Sequence, residues 1–285
     1  MAEPATSREA GGRWTRWLVA GPPTLFLLAF FLAPALIVVV ASFREPGEFG
    51  GLAPLVAAGA STLSLEAYRF LMGDLVYLEI FARSFLVAAV TTLACIVMAY
   101  PLAWLIARSP RKRRDALVLL VILPFASNFL VRIYAWIMLL GPANLLYTPL
   151  AVILGMVYVH LPFMVLPLYT NLEKHDPALL EAAEDLGANA WTRFWRVTFP
   201  LSLPGIFSGS ALVFIPVLGM FAVPELLGGT GDILIGNLIK EQFLDNRDWP
   251  LGSALSIGLT VAVLALAGLA AWGARRGLKG TEAVS

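Results

Sequence analysis

The chain alternates between long apolar runs and short polar segments. Six runs carry almost no charged side chain, and they cover residues 18–43, 84–107, 116–140, 150–171, 203–225 and 252–273. A helix needs about 20 apolar residues to cross a hydrocarbon core roughly 30 Å thick. Backbone exposed to lipid must satisfy its own hydrogen bonds, so runs of this length predict helices. The pattern therefore predicts an all-α membrane protein with six transmembrane helices.

The composition supports a membrane location. Of the 285 residues, 59% are apolar and 14% are charged, whereas soluble domains carry roughly 25% charged residues. A net charge of +1 argues against a nucleic-acid partner. The first apolar run is too long for a removable signal peptide, so we expect an uncleaved first span. The lone Cys95 lies in the second run and has no partner for an intrachain disulfide.

Lysine and arginine placement predicts the orientation. If the N-terminus is cytoplasmic, fourteen of the 20 basic residues fall on the inside. They are Arg8, Arg13, Arg16, Arg108, Arg111, Lys112, Arg113, Arg114, Lys174, Arg193, Arg196, Arg275, Arg276 and Lys279. Basic residues accumulate on the cytoplasmic side of membrane proteins, so both termini are predicted to be cytoplasmic.

This topology divides the chain into a membrane domain and two tails. Residues 1–16 form a cytoplasmic N-terminal tail, 17–273 the six-helix membrane domain, and 274–285 a cytoplasmic C-terminal tail. Residues 226–251 are too polar to span and are predicted to lie outside. Residues 172–202 form the one long polar insertion on the inside.

The first half of this insertion predicts a short amphipathic helix. Asp176 can cap its start and Pro177 suits its first turn. One face is apolar and comprises Leu179, Ala182, Ala183 and Leu186. Gly187 then supplies a left-handed residue that ends the helix and turns the chain.

The second half predicts another short helix. Asn189 can cap it, and Trp191, Phe194 and Trp195 form an aromatic face. Phe199-Pro200 is expected to end it, because the residue before proline avoids the helical region. We call residues 176–200 the elbow. On pattern alone, the elbow could equally be a surface-lying loop whose aromatics touch lipid headgroups.

The elbow resembles the signature of ABC importer permeases, EAA-x3-G-x9-I-x-L-P. Here the signature is Glu181-Ala182-Ala183, then Gly187, then Val197-Thr198-Phe199-Pro200. The two departures, Val for Ile and Phe for Leu, stay apolar. The resemblance implies the permease fold of binding-protein-dependent ABC importers in a bacterial inner membrane.

In that family the elbow docks in a groove of a separate ATP-binding subunit. The resemblance therefore implies two copies of an ATPase subunit, a second permease subunit and an extracytoplasmic solute-binding protein as partners. It implies no cofactor in this chain itself. The residues that it assigns to coupling are Glu181, Ala182, Ala183, Glu184, Gly187, Trp191, Arg193 and Pro200.

Three further segments resemble the spermidine/putrescine branch of these permeases. They are LPFASNFLVRIYAW (123–136), VILGMVYVHLPFMVLPLYTNLEKHDPALLEAAEDLG (152–187) and GNLIKEQFLDNRDWPLGSALS (236–256). The resemblance implies import of a polyamine. Relatives that import opines, phosphonates or iron look much alike, so those substrates stay open as alternatives.

The chain lacks the motifs of catalysis and nucleotide binding. It has no GxxxxGK[ST] phosphate loop, no HExxH and no GxSxG, so no catalytic or metal-ligating residue is predicted. His160 in the fourth run is expected to be packed or hydrogen-bonded rather than a ligand. A membrane enzyme is disfavoured for the same reason, and a secondary carrier because no inverted repeat or ionisable relay is visible.

Ionisable residues near the predicted spans are candidates for a substrate pathway. Glu225 and Asp232, with Tyr134 and Trp136 nearby, could offer carboxylates and aromatic faces to a polycation. Arg132 belongs to the same set. The alternative is that Arg132 and Glu225 snorkel or pair with each other.

Gly205 and Gly209 form a small-xxx-small step in the fifth run. Such steps allow two helices to approach closely. The partner helix could belong to this chain or to a second permease subunit.

The absence of a phosphate loop yields the first testable prediction. The purified chain should neither bind nor hydrolyse ATP, because it offers no backbone cradle for phosphates. Equilibrium dialysis with labelled ATP on the detergent-solubilised chain measures this directly. Stoichiometric nucleotide binding would contradict the prediction.

Overall fold

The computed structural model describes residues 10–54, 56–57, 60–61 and 63–282. The helices, in order, are α1 (Ala10–Leu27), α2 (Ala33–Ser42), α3 (Glu66–Gly73), α4 (Leu75–Arg108), α5 (Arg111–Ile122), α6 (Phe129–Leu140), α7 (Pro149–Leu172), α8 (Pro177–Asp185), α9 (Ala190–Arg193), α10 (Phe199–Gly219), α11 (Ala222–Leu227), α12 (Ile235–Leu244) and α13 (Trp249–Glu282). Shorter helical segments at Leu28–Leu32, Leu123–Ala126 and Phe194–Thr198 join neighbouring helices. A two-residue hairpin, β1 (Val56–Ala57) with β2 (Ala60–Ser61), is antiparallel.

Among the described residues, five helices are long and apolar enough to cross a membrane. They are Leu18–Ser42, Leu75–Arg108, Pro149–Leu172, Ala190–Gly219 and Trp249–Leu269. Each contains most of one predicted apolar run, so five of the six predicted spans are confirmed as helices.

The remaining predicted span, 116–140, is the third along the chain and is not one straight helix. Arg111–Ala126 and Phe129–Leu140 meet at 92°. The 3₁₀ turn Leu123–Ala126 contains Pro124, and the Ser127 hydroxyl donates to the Pro124 carbonyl at 2.8 Å. The Asn128 side chain then caps α6 by accepting a hydrogen bond from Leu130 N at 2.8 Å. These local bonds satisfy backbone groups that a continuous helix would otherwise pair, so the break is stable.

Two further boundaries differ from the prediction. Phe199-Pro200 does not end the second elbow helix, because a five-residue π-helical segment, Phe194–Thr198, joins α9 to α10. Pro200 lies just after that segment, so the helix continues through a position that has no N–H to donate. The fifth span ends at Gly219 rather than at residue 225, and the chain resumes as the short helix α11.

Helices extend into both predicted tails. Helix α1 begins at Ala10 and α13 runs to Glu282. Residues 1–9 and 283–285 of the predicted tails lie outside the described residues.

The chain divides into two compact units. The described part of the first contains α1 to α3, the hairpin and α13, with α13 packed on α2 and α3. The second, residues 74–240, is built around α4, α7 and α10, which pack on one another. The second unit contains the elbow and all the predicted pathway residues.

Glycines set the approach of α7 to α10. A Cβ added at Gly205 would lie 2.8 Å from the Asn171 Cβ and 3.2 Å from the Leu168 Cα. One added at Gly209 would lie 2.7 Å from the Met164 sulfur. The small-xxx-small step therefore serves packing within this chain.

Two residues singled out by the sequence are buried in the same unit. His160 is 1% exposed, and its Nδ1 is 2.8 Å from the Met156 carbonyl. This confirms the expectation of a packed, hydrogen-bonded histidine. Cys95 is a free, fully buried thiol on α4.

The α7–α10 contact predicts different responses at two glycines of one helix. Gly205→Ala should destabilise the protein by about 1–3 kcal/mol, because the added methyl group meets side-chain and backbone atoms that are already close. Gly219→Ala should change stability by less than about 0.5 kcal/mol, because no atom lies within 4 Å of its added Cβ. Thermal unfolding in detergent measures both, and equal melting midpoints would contradict this packing.

Candidate functional site

The first elbow helix is fixed at both ends by side-chain and backbone chemistry. The Asp176 carboxylate accepts a hydrogen bond from Ala178 N at 3.0 Å, as predicted. At the other end Gly187 has φ of +80°. Gly187 N donates to the Glu184 carbonyl (2.8 Å) and Ala188 N to the Ala183 carbonyl (3.0 Å). This pair of bonds is a Schellman motif, which needs a left-handed residue at the glycine position.

The second elbow helix begins two residues later. The Asn189 side chain accepts from Thr192 N at 2.8 Å, which confirms the predicted cap. Through the π-helical segment, α9 is continuous with α10, so Ala190–Gly219 is a single element of 30 residues. One arm of the elbow is therefore the end of a membrane-spanning helix.

An ion pair closes the angle between the two arms. Arg193 on α9 pairs with Glu184 on α8, and the two side chains are 25% and 55% exposed. A pair this exposed contributes at most about 1 kcal/mol. It therefore refines an angle that the Gly187 turn has already set.

The elbow rests on the C-terminal end of α4. A pocket of about 430 Å³ between them is lined by Trp104, Arg108, Leu180, Glu181, Arg193 and Phe194, among others. Beside it, Tyr100 packs edge-on against Phe194 at 5.4 Å and its hydroxyl is 3.0 Å from the Ser202 Oγ. These aromatic and hydrogen-bonding contacts hold the elbow against two spans.

Part of the elbow surface is apolar and exposed. Leu186 is 88% exposed, Trp191 70% and Trp195 46%. The Trp191 and Trp195 rings pack edge-on at 5.6 Å. Glu181 is exposed at its surface and has no ion-pair partner among the described residues. Exposed apolar side chains gathered in this way suit contact with lipid headgroups or with another protein.

The elbow brings all eight predicted coupling residues into one short segment. Glu181, Glu184 and Arg193 line the pocket below it, whereas Ala182, Trp191 and Pro200 are exposed and Ala183 is half-buried. Gly187 forms the turn between the arms. Leu180, which the amphipathic pattern did not single out, is half-buried and lines the same pocket.

The predicted pathway residues separate into two places. Arg132, Tyr134 and Trp136 lie on α6, next to the broken span. The Arg132 guanidinium lies over the rings of Phe125 (5.6 Å) and Phe129 (5.9 Å). Trp136 packs edge-on against the Tyr158 ring at 5.6 Å, and Tyr134 is 55% exposed.

Glu225 and Asp232 instead lie in a second pocket, of about 770 Å³. We call it the Tyr147 pocket; its lining includes Tyr147, Glu225, Gly229, Asp232 and Asn237. Glu225 accepts from Lys240 Nζ at 3.0 Å. In the described residues Glu225 therefore pairs with Lys240 rather than with Arg132, whereas snorkelling of the two side chains stays a prediction.

The sequence analysis did not single out three residues of this site. Tyr147 and Asn237 line the pocket, and Lys240 pairs with Glu225. Tyr147 has a φ of +63°, which nothing in the local sequence signals. Arg83, which directly precedes the second apolar run, pairs with Asp232 across 149 positions of sequence. Contacts between residues so distant in sequence have no local pattern.

Three comparisons place this geometry among known proteins. The family profile described as binding-protein-dependent transport system inner membrane component matches residues 99–275. The spermidine/putrescine transport system permease protein PotB of Escherichia coli (strain K12) is 42% identical over 270 residues, which cover 88% of this chain and 94% of that protein. PotB of Haemophilus influenzae is 42% identical over 260 residues, which cover 85% and 87%.

A solved structure has the same fold. It is the bacterial alginate ABC transporter in complex with an alginate pentasaccharide-bound periplasmic protein. The TM-score is 0.65 at 17% identity, and the match covers 91% of this chain and 94% of that chain. At this identity the likeness bears on the fold alone.

Proposed function

Because this chain belongs to the family of binding-protein-dependent transport system inner membrane components, we propose that it carries a polyamine such as spermidine or putrescine across a bacterial inner membrane, driven by ATP hydrolysis in a partner. The observation that carries the coupling part of the proposal is the elbow. The substrate class is supported by the 42% identity to spermidine/putrescine permeases over most of both chains. Opines, phosphonates and iron are the alternative cargoes.

The elbow is built to transmit motion. The Gly187 backbone sets its turn and its angle, and the Glu184–Arg193 pair refines that angle. Since α9 continues into α10, a partner that displaces the elbow also displaces the end of a span. The contact between the elbow and the C-terminal end of α4 transmits the same displacement to a second span.

The exposed face of the elbow fits a protein groove. Leu186 and Trp191 present apolar surface, and Glu181 is exposed on the same elbow, at the pocket beside α4. Interfaces of this kind place aromatic anchors at the centre and charges at the edge. The proposed occupant is the ATP-binding subunit, present in two copies because a second permease subunit supplies a second elbow.

The remaining partners follow from the same proposal. An extracytoplasmic binding protein delivers the substrate, as a periplasmic protein does in the alginate transporter complex. Both termini and the elbow lie in the cytoplasm and residues 226–251 lie outside, which the distribution of basic residues supports.

The orientation can be tested by cysteine accessibility in a Cys95→Ser background. Ala190→Cys should react with a membrane-impermeant maleimide only after the inner membrane is opened, because it lies in the elbow. Leu244→Cys, 65% exposed as Leu244, should react in intact spheroplasts. The Cys95→Ser parent is the control, and labelling at position 190 from outside would contradict the topology.

The coupling role can be tested at the Gly187 turn. Gly187→Val should leave membrane insertion intact but lower recovery of the ATPase subunit and abolish uptake, because a β-branched residue at φ +80° costs roughly 1 kcal/mol or more. No atom lies within 4 Å of the added Cβ, so the effect is conformational rather than steric. Gly187→Asn is the matched control, since asparagine tolerates the left-handed region.

Charge substitutions at Glu181 provide a second test of the coupling role, beside the substitutions at Gly187. Glu181→Lys should lower co-purification of the ATPase subunit roughly tenfold, and Glu181→Gln should lower it less, because reversal adds repulsion to a lost attraction. The measurement is co-purification from membranes, with polyamine uptake in parallel. Full recovery and full transport in both Gly187→Val and Glu181→Lys would make the elbow an ordinary surface loop.

A further inference from the structure

The Tyr147 pocket lies far along the chain from the elbow and has a different chemistry. Its volume of about 770 Å³ lies within the usual range for small-molecule sites. Two carboxylates line it, those of Glu225 on α11 and of Asp232 in the loop that follows. Both already have cationic partners, and the two partnerships differ in how readily they can be exchanged.

Both carboxylate oxygens of Asp232 are used in contacts within the protein. Its Oδ1 pairs with Arg83, which also donates to the Gly231 carbonyl, and its Oδ2 accepts from Gly229 N at 3.1 Å. The side chain is only 12% exposed. Because both oxygens are occupied, Asp232 shapes the loop and has little capacity left for a ligand.

Glu225 is available by comparison. Its side chain is 45% exposed, and the only ion pair that it makes in the described part of the chain is with Lys240 at 3.0 Å. Exposed pairs of this kind are weak. The partner is also a primary ammonium on a flexible four-carbon stem, and a polyamine ends in the same group.

We propose that Glu225 binds a terminal ammonium group of the substrate, and that Lys240 holds this position until the substrate displaces it. The ligand class, an alkyl polyamine, rests on the proposed function. The exchange replaces one ammonium by another at the same carboxylate. The charge of the pocket is therefore balanced before binding, and Glu225 does not lose an ion-pair partner when substrate arrives.

Two other side chains of the pocket suit the same ligand. Asn237 donates through Nδ2 to the Phe221 carbonyl at 2.9 Å, while its Oδ1 is buried without a hydrogen-bond partner among the described residues. A buried acceptor of this kind favours an incoming N–H donor. The Tyr147 ring is 64% exposed and offers an aromatic face to a cation.

The position of Tyr147 is enforced by close backbone packing. Its φ is +63°, and its N–H donates to the Leu227 carbonyl at 2.9 Å. A Cβ at Gly229 would lie 2.9 Å from the Tyr147 carbonyl oxygen. A bulky residue rarely adopts this conformation, and such residues persist where surrounding structure holds them at a functional site.

The test measures spermidine binding to the assembled complex of permease and ATPase subunits in nanodiscs, without the binding protein. Lys240→Met should tighten binding about two- to fivefold, because the internal competitor is gone. Glu225→Gln should weaken binding about tenfold, because a charge-assisted hydrogen bond is lost. The double variant should resemble Glu225→Gln. Glu79→Gln, which removes an exposed carboxylate from α4, is the matched control and should bind as wild type.

The signs of these changes separate the proposal from a structural role. If the Lys240–Glu225 ion pair only stabilises the packing of α12 on α11, both single variants remove the same ion pair. Spermidine binding should then shift in the same direction in both. That result, or unchanged binding in both variants, would overturn the proposal. Thermal midpoints of the variants verify that folding is retained.

Uptake by the wild-type complex with its binding protein tests the proposed function separately. If polyamine is imported but the two variants shift binding in the same direction, this inference fails and the proposed function stands. If no polyamine is imported, the substrate class fails and this inference fails with it.

Discussion

In hydrocarbon, a backbone N–H or C=O without a hydrogen-bond partner costs several kcal/mol, and no water is present to relieve it. The architecture of this chain follows from that constraint. Five long helices satisfy their own backbones along nearly their whole length. At the 92° bend the Asn128 side chain caps α6 and replaces one of the missing bonds. The elbow obeys the same rule, with caps at Asp176 and Asn189 and a Schellman turn between them.

This constraint explains which features could be predicted from sequence. The spans and the elbow caps depend on local chemistry: an apolar run of sufficient length, a carboxylate or amide before a helix, and a glycine where φ must be positive. All three of the elbow signals, Asp176, Gly187 and Asn189, were correctly interpreted. The burial of His160 followed equally well, because a lone polar group in an apolar run must find a backbone partner.

The errors also have a physical pattern. Phe199-Pro200 was expected to end a helix, but the π-helical segment Phe194–Thr198 carries the helix past the proline into α10. The break at Ser127 and Asn128 was missed because each residue is compatible with a helix interior, and only their combination with Pro124 favours a bend. The partners of Glu225 and Asp232 were beyond local inference, since Lys240 and Arg83 reach them through the fold.

The π-helical segment Phe194–Thr198 affects the direction in which the aromatic side chains of the elbow point. A π turn accommodates one more residue than an α turn over the same rise, and each residue of an α-helix advances the side-chain direction by about 100°. The aromatic face of α9 is therefore out of phase with the register that α10 alone would impose. The direction in which Trp191 points around the helix axis depends on the number of residues between the Gly187 turn and the membrane as much as on their identities. The number of residues in that interval therefore fixes the direction in which Trp191 points relative to α10.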